Sequence, residues 1–198
     1  MASLNLVIIG SILVVGVHGG SVAGLTGGKN CSVADNYLGL SCGLRAIEFG
    51  EKIQNLDLDN DVENELKEFK RSCAALEDCT KTLGHCNAFQ DEEVKKGFAH
   101  MKTFCDVIIF FSGEFAECEN ELDAKNSTCY QDWDPFGLLM ELEDKAKITK
   151  ACNVFFGKEN CMKKETIAVC GEKSWEKLRD TMIVADDAGK KCNIKSDL

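Results

Sequence analysis

The sequence predicts an all-α protein, a disulfide-stapled irregular bundle of about five to six helices. Three observations lead there. Apolar residues recur at helical spacing in several windows, no convincing period-two run suggests a strand, and five of the twelve cysteines fall on the apolar stripes.

The chain opens on Leu4–Val17, an apolar run of roughly 14 residues broken by Asn5, Ser11 and two glycines. A membrane span needs about 20 apolar residues, so the run suits the apolar core of a secretory signal peptide instead. Small residues follow at Val17 and Gly19, and again at Ser21 and Ala23, although no Lys or Arg precedes the run. Residues 1–20 are therefore expected to be removed, leaving 21–198 as a single twelve-cysteine helical domain, secreted and extracellular. Further along, the most apolar window is Val107–Phe111, with Glu114 and Glu117 close behind, so no membrane span is expected. The C-terminus is polar and carries no lipid-anchor signal, and its last four residues lack the acidic pair of an ER-retention tetrapeptide.

The first helical stripe is Leu38, Cys42, Ala46, Phe49, Ile53 and Leu56, weakened by Gly39, Gly43 and Gly50. A second runs through Val62, Leu66, Phe69, Cys73 and Leu76, with Asn60 and Glu63 placed as a capping box. The third reads Val94, Phe98, Met101, Cys105, Ile108, Phe115, Cys118 and Leu122, with a bend expected at Ser112-Gly113. Asp134-Pro135 is a helix-start signal, because proline in the first helical position loses no hydrogen bond. Leu138, Leu142, Lys145, Ile148, Cys152 and Phe155 then share a face, and Gly157 is placed to end that helix. Two shorter helices are expected, one over Cys161 to Cys170 stopping at Gly171 and one around Trp175, Leu178 and Met182.

An even number of cysteines behind a signal peptide implies disulfides: Cys31, Cys42, Cys73, Cys79, Cys86, Cys105, Cys118, Cys129, Cys152, Cys161, Cys170 and Cys192. No metal site is expected, since zinc favours closely paired ligands, the tightest spacing is Cys73 to Cys79, and only His85 and His100 remain in the mature chain. Cys105 and Cys118 would lie about 20 Å apart along one helix, beyond the roughly 7 Å limit between bridged Cα atoms, and so should not pair. The same reasoning separates Cys161 from Cys170 and Cys73 from Cys79. The full connectivity stays open, because twelve cysteines allow roughly ten thousand pairings.

Several segments then resemble a known family: Phe111–Cys118, Cys129–Phe136, Cys152–Glu165 and Cys170–Trp175. They are similar to a nematode family of secreted twelve-cysteine domains catalogued as domain of unknown function nineteen. The resemblance covers essentially the whole mature chain and is specific from Cys105 onward. It implies nematode origin, secretion and six bridges. It implies no activity.

The formal charge is −10, with most of the excess between Glu48 and Glu93, which disfavours nucleic acid and anionic membrane as partners. Gly39-Leu40-Ser41-Cys42-Gly43 matches a nucleophile elbow in letters, but it sits in a helical stripe where that motif needs a strand before it. Asp57, Asp59, Asp61 and Glu68 imitate a calcium loop, yet Val62 stands where the loop needs glycine. Neither histidine lies in a phospholipase pattern, so no catalytic residue, no enzyme and no cofactor are expected. Two sequons are candidate glycosylation sites: Asn126, in a polar stretch, and Asn30, a poorer acceptor with cysteine in its middle position. Asp132–Phe136 reads as a helix start with an aromatic staple around Trp133. The function that remains is a disulfide-rich extracellular interaction or binding protein, its partner an unknown extracellular protein or glycan. The alternative is a carrier of small apolar ligands in a helical cavity lined by the phenylalanines from Phe98 to Phe115.

Overall fold

The structure, a computed structural model, describes residues 30–54, 62–133, 135, 145–189, 192 and 194. Among them every regular element is helical: α1 Val33–Gln54, α2 Val62–Leu83, α3 Asn87–Gln90, α4 Glu92–Phe111, α5 Ala116–Ala124, α6 Thr128–Gln131, α7 Lys145–Asn153, a 3-10 turn Lys158–Asn160, α8 Cys161–Cys170 and α9 Glu172–Gly189. None of these is long and apolar enough to cross a membrane. The chain divides into two compact units, and the boundary falls inside α4 between Cys105 and Asp106.

The helical segments outnumber the expected five or six for two physical reasons. First, α3 and α6 are single turns, too short to show an apolar repeat. Second, the stripe from Val94 to Leu122 is two helices. The backbone leaves α4 at Phe111, and Phe115 N–H donates to the Phe110 carbonyl across the turn. The turn stacks Phe115 on Phe110, with ring centroids 5.4 Å apart, and sets Phe111 edge-on to both. The Ser112-Gly113 bend is thus a full break, made by aromatic packing that a periodicity does not record.

In the N-terminal unit α1 and α2 form an antiparallel hairpin. Lys52 Nζ lies 3.3 Å from Ser72 Oγ near its closed end, Cys42 bonds to Cys79 further along, and Cys31 bonds to Cys86 where the hairpin opens. Phe49 of α1, Phe69 of α2 and Phe104 of α4 meet in a triangle with centroids 5.5 to 6.4 Å apart. Each such aromatic pair adds about 0.5–1.5 kcal/mol beyond area burial. Cys73–Cys105 fastens α4 to α2 beside that triangle. Two helix starts here are capped by side chains. Ser32 and Asp35 form a reciprocal box before α1, and Asp91 Oδ1 accepts from Glu93 N–H and Val94 N–H before α4.

The C-terminal unit gathers around Leu122, Phe156, Met162, Trp175, Leu178 and Met182, all at most 2% exposed. Cys118–Cys170 joins α5 to α8, Cys129–Cys161 joins α6 to the start of α8, and Cys152–Cys192 joins α7 to the segment after α9. No cysteine is free. Cys161 and Cys170 share α8 and Cys73 and Cys79 share α2, and each takes another partner, as helix geometry requires; Cys105 and Cys118 also take other partners, although the break after Phe111 puts them on different helices rather than the single one expected. The helix with Ile148 and Cys152 ends at Asn153, and the turn before Gly157 swings Phe155 and Phe156 inward. Its expected start after Pro135, like Asn60 and Leu56, lies outside the described residues.

Gly157 is placed by sulfur as much as by conformation. Its φ is +77°, and a Cβ there would stand 2.5 Å from Cys161 Sγ and 3.0 Å from Cys129 Sγ. A disulfide cannot swing aside as the tip of a lysine can. Gly157→Ala is therefore expected to prevent the Cys129–Cys161 bridge from closing in the native fold. Peptide mapping of the oxidised variant should find those two cysteines as thiols or mispaired. Recovery of the native pair at wild-type yield would contradict this placement.

Candidate functional site

Three groups capable of ligating a metal come together at the open end of the α1–α2 hairpin. Ligand atoms of Asp35, His85 and Cys86 lie within 4.8 Å of one another. The Cys86 sulfur is bonded to Cys31, so it cannot serve as a thiolate. What remains is an exposed imidazole and one carboxylate, short of the three or four protein ligands that zinc takes. His85 Nε2 lies 3.2 Å from Asp35 Oδ2 and its Nδ1 lies 3.1 Å from the Thr82 carbonyl. The cluster is a helix-terminus lock: the Ser32 backbone N–H and hydroxyl hold the Asp35 carboxyl below its ordinary range, and His85 adds to that pull.

The other motifs fall into structural roles. Gly39–Gly43 lies wholly within α1, where Gly39 and Gly43 face the interior and Cys42 is bridged to Cys79, so no strand-to-helix elbow exists there. Asp57, Asp59 and Asp61 lie outside the described residues, while Glu68 on α2 pairs with Arg71. Trp133 is buried, and its indole Nε1 donates to the Phe155 carbonyl at 2.7 Å. Phenylalanines between 98 and 115 pack on other rings: Phe98 on Phe89, Phe104 in the triangle, and Phe110, Phe111 and Phe115 on one another.

Both sequon asparagines are exposed and adopt positive φ, +69° at Asn30 and +51° at Asn126. Asn126 sits in the turn between α5 and α6. The middle residue of its sequon, Ser127, caps α6 by accepting from Tyr130 N–H and donates to Glu165. Asn30 differs: its Nδ2 donates to Asn87 Oδ1 at 3.4 Å, and the next residue is cross-linked to Cys86.

Within the C-terminal unit a polar pair crosses the apolar interior. Tyr130 Oη donates to Glu119, whose carboxyl is raised by burial against the pull of that hydrogen bond; burial likewise pushes the Tyr130 hydroxyl up. Thr166 Oγ1 and Trp175 Nε1 are buried and have no hydrogen-bond partner.

One surface stands apart. Val33, Tyr37, Leu40 and Leu44 are 73, 72, 41 and 57% exposed and share one face of α1. Cys42, Ala46, Phe49 and Ile53, buried against the unit's interior, lie roughly half a turn around the same helix. Sequence reasoning found the inner stripe and missed the outer one. The signal was there in the 4-3-4 spacing, but two apolar stripes on one helix blur each other's periodicity.

An all-α fold closed by six disulfides defines the chain as a cysteine-rich helical protein. More particularly, the chain belongs to the family described as Domain of unknown function (DUF19), whose model matches residues 31–193. It is 39% identical over 186 residues to Excretory canal abnormal exc-13 of Caenorhabditis elegans, covering 91% of this chain and 90% of that protein. It is 35% identical to UPF0376 protein F10G2.1 of the same nematode, covering 98% of this chain and 97% of that one. Its identity to UPF0376 protein C36C5.12, also of that nematode, is 32% over 96% of this chain and 88% of the other. No solved structure matches the chain.

The lowered Asp35 carboxyl carries a pH signature. Its contribution to stability is present above the unfolded-state value, about 3.9 for aspartate, and fades as pH falls through the lower folded value. Asp35→Asn is accordingly expected to melt below wild type at pH 7, with the gap closing in strong acid. Melting curves that stay equally far apart at every pH would reject the assignment.

Proposed function

We propose that the chain is a secreted, non-enzymatic interaction protein, a disulfide-locked helical scaffold that presents the outer face of α1 to a protein partner outside the cell. One observation carries this reading: an exposed, uncharged apolar stripe on a helix whose opposite side is already in the core. Contiguous apolar patches of several hundred Å² on soluble proteins are commonly interaction sites. Export is supported by six bridges with no thiol left over, a state kept in oxidising compartments. The apolar run Leu4–Val17 supplies a leader. The reading includes a glycan on Asn126, which is exposed in a turn, and favours it over Asn30, which is tied to Asn87.

A second reading, a carrier of small apolar ligands, draws on Thr166 Oγ1 and Trp175 Nε1. Buried donors without partners cost about 1–3 kcal/mol each, a penalty that the polar end of a ligand would relieve.

Mass spectrometry addresses export, modification and carriage together. The full chain made in a secreting animal cell is expected in the medium without residues 1–20, with six bridges and with a removable glycan on Asn126. Product confined to the cell would end the extracellular reading. A lipid mass retained by natively sprayed protein from its nematode source would favour the carrier, and a clean protein mass would remove it.

The docking face is tested by comparison. Similarity to a protein named Excretory canal abnormal exc-13 makes the excretory canal the first tissue to examine. Wild-type protein and Leu44→Glu, both oxidised and tagged, are used to capture partners from nematode extract, with Val184→Glu as an exposed control on α9. A protein captured by wild type and the control but lost by Leu44→Glu is the expected result. Identical captures by all three would exclude α1 as the face.

A further inference from the structure

Helix α1 is apolar on two opposite sides, a pattern characteristic of a helix that is covered on both. The inner side packs against α2 through Phe49 and the Cys42–Cys79 bridge. The outer stripe continues past Leu44 to half-buried Ile47, so that Val33, Tyr37, Leu40, Leu44 and Ile47 follow steps of 4, 3, 4 and 3. That is the heptad spacing of a helix seated against another helix. From Val33 to Ile47 the only charged residues are Asp35 and Arg45. The first is engaged by Ser32 and His85, and the second lies on the flank of the stripe.

We infer that the occupant of this face is a second copy of the chain, paired through antiparallel α1 helices about a two-fold axis at Leu40. This rests on the reading of α1 as the docking face and names what docks there. Three features select a second copy. The stripe is nearly symmetric in sequence about Leu40, with members at −7, −3, +4 and +7, so an antiparallel pair sets Leu40 against Leu40 and Val33 against Ile47, with Tyr37 within one residue, about 1.5 Å, of facing Leu44. A two-fold interface needs this self-complementarity.

Area is the second feature. The four most exposed side chains present roughly 400–500 Å² of apolar surface, at the upper end for one patch on a monomer. Two copies, with their flanking small residues Ala34 and Ser41, would bury on the order of 1,000 Å², the size that a specific interface should clear. Charge is the third. The next stripe position is Glu51, with Glu48 beside it, and a parallel pair would set each against its own copy. The antiparallel arrangement moves them to opposite ends of the seam.

Sedimentation equilibrium of the mature, oxidised protein tests the pairing. Wild type is expected to dimerise with concentration, and more tightly as salt rises, because each copy carries a formal charge near −10 and the seam itself is uncharged. Tyr37→Glu and Leu44→Glu should each weaken dimerisation at least about tenfold while keeping six bridges and wild-type helicity; Val184→Glu should leave it unchanged. Orientation has its own readout. Val33→Lys and Ile47→Glu should each weaken the dimer, and the double variant should regain affinity, since the introduced charges meet only in an antiparallel pair. A protein monomeric at about 100 µM, far above usual specific affinities, or a dimer indifferent to Leu44→Glu, overturns the inference. A double variant weaker than both single ones overturns the antiparallel arrangement. A monomer that still loses a captured protein through Leu44→Glu would overturn self-pairing and leave the docking face standing.

Discussion

Covalent closure by sulfur within each half of the chain is the constraint on which the rest depends. Three bridges close inside residues 31–105 and three inside 118–192, and none joins the two units. The enclosed loops run from 32 to 55 residues. In the chain-entropy model each bridge of this span removes about 4 kcal/mol of unfolded-state freedom, without simple additivity. Each unit thus has its own staples and its own aromatic cluster, and helices too short to persist alone, such as α6 with Cys129, are held by a bridge.

That closure frees surface from structural duty. With the α1–α2 hairpin locked by Cys42–Cys79 and Cys31–Cys86, the outer side of α1 is not needed to hold the unit together. An apolar stripe there is costly to solubility and gives nothing to the inner core, which supports the proposal of α1 as a docking face. The polar features that resemble chemical sites also act as fasteners. Asp35 and His85 secure a helix start, Ser127 secures another, and Trp133 bonds a carbonyl in the turn after α7.

Much of the fold was legible in the sequence. The boundaries at Cys161, Cys170 and Gly171 were readable because glycine and the apolar spacing mark them directly; Gly171 has a φ of +88°. The stripes of α1 and α2 were readable because inward residues such as Phe49, Phe69 and Leu76 repeat at helical spacing. Less legible were the one-turn helices and the break after Phe111. The break is fixed by stacking of Phe110 on Phe115, a contact that lies outside any regular period.

Sequence alone determined the helical class, the oxidised state of the twelve cysteines and several pairs that could not bond, because spacing along a helix is local geometry. Only the tertiary structure decided which cysteines meet, why Gly157 admits no side chain, and which apolar stripe of α1 is left outside. Those outcomes depend on residues brought together from distant parts of the chain. Two stripes on one helix are locally equivalent until a neighbouring helix covers one of them.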